Sequence, residues 1–159
     1  MPHLFYDLDF TVSVFVVHEG KVLLVDHKKL RKWLPVGGHI DIGEDPEQAA
    51  HREAAEESGL EIKLWGERPP KSFPGTKILV APTYLDVHDI HGDHRHIGMI
   101  YFATAASSEV TLAPAEHNRI RWFTAAELDD PQWEVPEAIR FYGGEALRRV
   151  SGPAAGPHA

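Results

Sequence analysis

The spacing of apolar positions changes several times along this chain, and each change marks an element. Residues 10–17 and 21–26 are dense in β-branched and other apolar side chains, with Glu19-Gly20 between them. That pattern predicts a hairpin. Parts of both strands are apolar at successive positions, which predicts a sheet covered on both faces. Residues 27–33 form a basic loop and residues 37–42 a short extended segment. Residues 60–65 predict a strand, ended by Pro69-Pro70. Residues 78–87 and 97–105 predict two further strands joined by a histidine-rich loop, and residues 119–123 a short strand. Thr124 supplies a hydroxyl cap for a brief helix over 124–128. Ala138, Ile139, Tyr142, Ala146, Leu147 and Val150 recur at helical spacing, which predicts an amphipathic helix over 136–150. Strands flanked by one central and one terminal helix imply a layered α/β architecture with a mixed sheet.

The central helix has the strongest local signals. Asp45 is a good N-cap, Pro46 suits the first helical position, and Gln48 follows three residues after the cap. Glu47 complements the positive helix end, and Gly59 is a left-handed stop after Ser58. The helix should therefore run over about 46–58. It carries Glu53, Glu56 and Glu57 on one face. Like charges at these spacings cost roughly 0.2–0.5 kcal/mol a pair in an isolated helix. Arg52, four residues before Glu56, offsets part of this by orienting that carboxylate through a forked hydrogen bond. Hard oxygens with few basic neighbours suit Mg²⁺ or Mn²⁺. Ala50 and Ala54, with Ala49 and Ala55 at the flank, are assigned to the opposite side, where small side chains let a sheet approach. A solvated acidic helix explains the carboxylates. It does not explain the framing glycines, the arginine and the caps at these offsets.

Composition narrows the class. The 159 residues suit a single domain, expected over residues 1–150, with a Gly-, Pro- and Ala-rich flexible tail over 151–159. No run of 18 apolar residues exists, so no membrane span is expected. The first residues lack a basic region followed by an apolar stretch, so no secretory leader is expected, and cytoplasm is the default location. The absence of cysteine excludes disulfides, thiolate metal sites and cysteine nucleophiles. A net charge of −8 disfavours nucleic-acid binding through phosphate neutralisation but leaves small polyphosphates open, because bound cations can supply local positive charge.

Gly38, Glu44, Arg52, Glu53, Glu56, Glu57, Gly59 and Leu60 match G-x5-E-x7-R-E-U-x-E-E-x-G-U, where U is apolar. This is the Nudix box, and the chain resembles the Nudix hydrolases (MutT-like). The segment Trp33-Leu34-Pro35-Val36-Gly37-Gly38 is similar to the family's approach to the box. Ala54 departs from the pattern, where a bulkier aliphatic residue is usual, which touches packing more than chemistry. The resemblance implies a helix–sheet–helix sandwich with the box as a loop-helix-loop at one sheet end. It implies hydrolysis of a diphosphate bond in a nucleoside diphosphate linked to another moiety. Nucleoside triphosphates, ADP-ribose-like nucleotide sugars and dinucleoside polyphosphates are all open as substrates. It further implies Mg²⁺ (or Mn²⁺) held by Glu53, Glu56 and Glu57 with a backbone carbonyl at Gly37 or Gly38. Glu44 would complete that shell or brace the loop, and Arg52 would orient a carboxylate. The general base would be a box glutamate or Glu116, which precedes the Trp122-Phe123 strand as in many members; a plain surface carboxylate explains Glu116 equally well. Many members are homodimers.

Other features have competing readings. Lys28, Lys29, Arg31 and Lys32 suit outer phosphates or a solvated loop. Trp33, Phe5 and Tyr6 suit stacking on a base or ordinary packing. Asp41 lines the box loop. His88, His91, His94 and His96 fall within nine residues, but their spacing fits no standard zinc pattern, so a plain loop is the better reading, with a loop that gates substrate choice as the alternative. A Nudix-like isoprenoid diphosphate isomerase is disfavoured, because the resembling enzymes use a cysteine. A catalytically silent nucleotide-binding sensor domain is the alternative from another class. Such domains usually lose box glutamates, and here every one is present.

Overall fold

The computed structural model describes residues 8–150. Phe5, Tyr6 and the expected tail over 151–159 lie outside them. One eight-stranded mixed sheet forms the middle layer. At its centre β1 (Leu8–His18) runs parallel to β7 (His94–Ala105), in register from Leu8↔Arg95 to Val17↔Thr104. The far edge of β1 is shared. Its start pairs with β4 (Val36–His39) and its end with β2 (Lys21–His27). Strand β2 also pairs with β3 (Lys32–Leu34) and β8 (His117–Phe123). Strand β7 also pairs with β5 (Ile62–Leu64) and β6 (Tyr84–His91). Helix α1 (Pro46–Ser58) covers one face, and α3 (Glu137–Val150), joined by the short α2 (Ala125–Asp129), covers the other.

The two-sided burial read from β1 follows from strand alternation. Val12, Val14 and Val16 point to the α1 side, with Leu23, Val25, Tyr101 and Ala103. Phe15 and Val17 point to the α3 side, with Leu24, Ile100, Phe102 and Phe123. Each such valine, leucine, isoleucine or phenylalanine side chain, fully buried, contributes roughly 1.5–3 kcal/mol.

Helix α1 forms where its caps place it. Asp45 and Gln48 make the reciprocal capping box, and Gly59 takes the left-handed cap at φ 72°. The face assignment of its alanines needs correction. Ala50 and Ala54 are fully buried, as is Ala49, and they share the sheet-facing side with Glu53 and Glu57; only Ala55 is exposed. Residues 50, 53, 54 and 57 are spaced i, i+3, i+4, i+7, which is one helical face.

Three further expectations are corrected. The strand expected over 78–87 begins only at Tyr84. Pro82 cannot donate to a ladder, and upstream the Ile78 carbonyl accepts from Arg68 while the Val80 N–H donates to Glu47. Part of the basic loop over 27–33 is strand β3. The histidine-rich segment is not a loop. His88 and His91 lie on β6, His94 and His96 on β7, around a two-residue Gly92-Asp93 turn. Gly-Asp between extended runs is a hairpin signal.

Candidate active site

Gly37 and Gly38 let β4 press against its neighbours. A Cβ at Gly37 would lie 2.1 Å from the Val12 carbonyl oxygen, and one at Gly38 2.3 Å from Glu53 Oε1. The second contact places the Glu53 carboxylate directly against the β4 backbone. Burial pushes its pKa up to about 7, with the Glu57 and Glu56 charges adding to the rise and Arg52 opposing it.

Arg52 ties the site together. Its Nε and Nη2 donate to Glu44 Oε1 and Oε2 at 2.8 and 2.9 Å, a fork that holds Glu44 below the usual carboxylate range. Nη1 donates to Glu53 Oε1 at 2.8 Å, and Nη2 to the His39 carbonyl at 3.0 Å. Glu56, the partner expected from helical spacing, receives a single bond at 3.3 Å and is mostly exposed. The forked carboxylate is therefore Glu44, not Glu56. Glu44 Oε2 also accepts from the Asp41 N–H at 3.0 Å, so Glu44 braces the box loop, and Asp41 stands 3.6 Å from Arg52.

Glu57 belongs to a second group. One oxygen of Glu57, one of Glu116 and one nitrogen of His117 lie within 4.8 Å of one another. Glu57 and His117 are buried, and Glu116 is exposed. His117 Nε2 stands 3.0 Å from Glu57 Oε2, an ion-pair distance without hydrogen-bond geometry, which leaves both atoms without a hydrogen-bond partner. His117 also meets the His27 ring at 5.5 Å, and burial followed by His117 lowers the His27 pKa.

His117 escaped sequence reading for a definite reason. Alternation along β8 would place it with Arg119 and Phe123, on the α3 side. The ladder shifts between Asp26 and His27, so His27 faces His117 and Asn118 is passed over. A bulge of this kind re-aims a side chain. Here it turns His117 to the α1 side, against Glu57.

The basic segment takes a different place. Arg31 and Lys32 line an open cleft with Asp26, Trp33, Arg119, Gln132, Trp133 and Glu134. Trp33 is 4% exposed, edge-on to Phe123 at 5.0 Å, so it is a core residue and offers no free stacking face. Lys28 donates to the Pro114 carbonyl, and its backbone N–H bonds the Glu116 carbonyl at 3.0 Å, tying the Glu116 loop to the β2–β3 turn. Trp133 and Arg119 carried no spacing signal and enter the cleft only through folding.

The residues present fit a divalent cation. Glu57 Oε2 is a buried carboxylate oxygen without a hydrogen-bond partner, and the cradle beside Glu53 is one that any side chain at position 38 would fill. The NUDIX domain family model matches residues 7–142.

The chain belongs to the NUDIX domain family.

A solved Nudix hydrolase from Clostridium perfringens is 37% identical, with a TM-score of 0.80, covering 89% of this chain and 97% of its own. Its architecture bears out the mixed-sheet α/β fold expected above. The oxidized purine nucleoside triphosphate hydrolase of Mus musculus is 28% identical over 130 residues, 76% of this chain and 73% of its own length. The NAD-capped RNA hydrolase NudC of Haemophilus influenzae is 29% identical over 136 residues, and the matched part spans 79% of this chain but 42% of that protein. No helix of this Nudix hydrolase, among the described residues, is long and apolar enough to cross a membrane.

Proposed function

We propose that this Nudix hydrolase cleaves a diphosphate bond in a nucleoside diphosphate linked to another group, using Mg²⁺ or Mn²⁺ held by Glu53, Glu56, Glu57 and the Gly38 carbonyl. The observation that carries the reading is the buried carboxylate pair on α1, with Glu57 Oε2 left without a donor. A buried carboxylate oxygen without a hydrogen bond is costly to bury, and a bound cation offsets that cost. When bound, the cations neutralise non-bridging phosphate oxygens and make water more nucleophilic.

The chain's own groups do the rest. Glu116 accepts the proton of the attacking water from its exposed position beside Glu57. His117 packs behind Glu57 and positions it. Arg52 is a positioning residue, because its fork is occupied by Glu44 and its remaining donors by Glu53, Glu56 and the β4 backbone. Arg31 and Lys32 line a cleft on the α3 side of the sheet and are offered for outer phosphates; there Arg119 is paired with Asp26 at 3.0 Å and Trp133 forms an aromatic wall. The relatives' names add oxidised purine nucleoside triphosphates and NAD-capped RNA to a panel of ordinary nucleoside triphosphates, ADP-ribose and dinucleoside polyphosphates.

The test measures phosphate and nucleotide release from that panel with Mg²⁺ and Mn²⁺, for wild type and Glu57→Gln. Wild type should turn over at least one class, and Glu57→Gln should lose on the order of 100-fold or more. Equal turnover by both would sink the assignment. Metal-dependent binding without turnover by wild type would favour the sensor domain.

A further inference from the structure

One aspartate and three histidines from three strands converge on the sheet face opposite α1. Strands β4, β1 and β7 are neighbours there, and alternation puts Asp9, His39, His94 and His96 on the same side as Phe15, Ile100 and Phe102. One ligating atom from each of the four lies within 4.8 Å of the others. His94 Nε2 and His96 Nε2 are 3.2 Å apart. Asp9 Oδ2 is 3.3 Å from His94 Nε2 and 3.3 Å from His39 Nε2.

These separations have a geometric meaning. Four ligands about 2.0–2.1 Å from a tetrahedral Zn²⁺ stand roughly 3.3 Å from one another. The three measured distances match that edge length. Hydrogen bonding accounts for only part of the group: His94 and His96 form one hydrogen bond, while two imidazoles share the Asp9 carboxylate and His96 meets His39 and His94 with ring centroids 5.0 Å away in each case. Burial, followed by the charges of His39, His88 and His94, pushes the His96 pKa down to about 4.

We propose that Asp9, His39, His94 and His96 form a second metal site, for a borderline transition-metal dication with Zn²⁺ the best match. The donor set separates it from the carboxylate site. Imidazole nitrogens suit Zn²⁺, Ni²⁺ or Cu²⁺, whereas Mg²⁺ and Mn²⁺ take oxygen. Asp9 and His39 are 42% and 57% exposed at their side chains, so an ion can enter from solvent. The backbone register holds all four residues in place before binding. The site also reaches the box, since the His39 carbonyl accepts from Arg52 and His39 follows Gly38 on β4. A bound ion clamps the three central strands and fixes the segment that packs against Glu53. The in-sequence spacing of His88, His91, His94 and His96 concealed the site, because two of its ligands are Asp9 and His39.

The experiment uses untagged full-length protein, stripped with chelator, dialysed and titrated with Zn²⁺ alone, then with Co²⁺ as a coloured probe. Metal content, calorimetry and the visible Co²⁺ bands of a tetrahedral site are the readouts. One equivalent should bind to wild type and to Glu57→Gln alike, resist excess Mg²⁺, and raise the thermal midpoint. His39→Ala and His94→Ala should each weaken binding by more than about 100-fold, beyond the 10–100-fold typical of losing an outer-shell partner. His39 is exposed, so His39→Ala retains the fold and keeps the comparison clean. Zn²⁺ binding unchanged in both variants, absent from wild type, or lost only in Glu57→Gln would overturn the site.

Discussion

Glu53 is held under opposed influences. Burial against Gly38 favours its neutral form, while Arg52 at 2.8 Å favours the carboxylate. Burial wins, and the pKa rises from 4.5 to about 7. The folded chain therefore holds a proton that the unfolded chain releases between those values. Its contribution to stability is fully present below pH 4.5 and is lost as pH rises through about 7. In chelator-treated protein, Glu53→Gln should be more stable than wild type above pH 7, and the gap should close towards pH 5. Thermal midpoints of the two proteins across that range check this, and a gap that widens on acidification would refute it. Glu53 as a candidate site residue was legible from the box spacing. Its burial was not, because it depends on a glycine fifteen positions earlier folding onto the helix.

Helix α1 shows how far local rules reach. Asp45, Pro46, Gln48 and Gly59 place both ends of the helix where the sequence predicts them. Asp45 caps the Gln48 N–H at 2.9 Å and also accepts from Lys77 at 2.6 Å. Asp45→Ala should cost about 1–2 kcal/mol, mostly from the cap, since exposed ion pairs contribute little. Urea denaturation would measure it, and a change under a few tenths would mean that the cap is redundant. Strands were less legible than this helix. Residues 78–82 have strand-like composition, but their backbone groups bond to Arg68, Glu47 and Tyr101 instead of a neighbouring strand. The bulge in β8 was invisible for the same reason, since it is defined by its pairing with β2.

At the scale of the molecule, the sheet separates the carboxylate site from the aromatic core under α3. Phe102 is fully buried in that core, edge-on to Phe15 at 6.2 Å. Phe102→Ala should cost about 3–5 kcal/mol in equilibrium unfolding while leaving turnover intact below the transition. Turnover lost without a fall in stability would show that the two faces are coupled. The sequence by itself determined the layered α/β class, the α1 boundaries, the two-sided burial of β1 and the box carboxylates. Each of these rests on caps, alternation and spacings within one segment, where a few neighbouring residues set the geometry. Only the tertiary structure decided the fork of Arg52 on Glu44, the approach of His117 to Glu57, the burial of Trp33 and the convergence of Asp9 and His39 on His94 and His96. Those contacts join residues from different elements, and strand order, register and one bulge set them, none of which leaves a periodic trace along the chain.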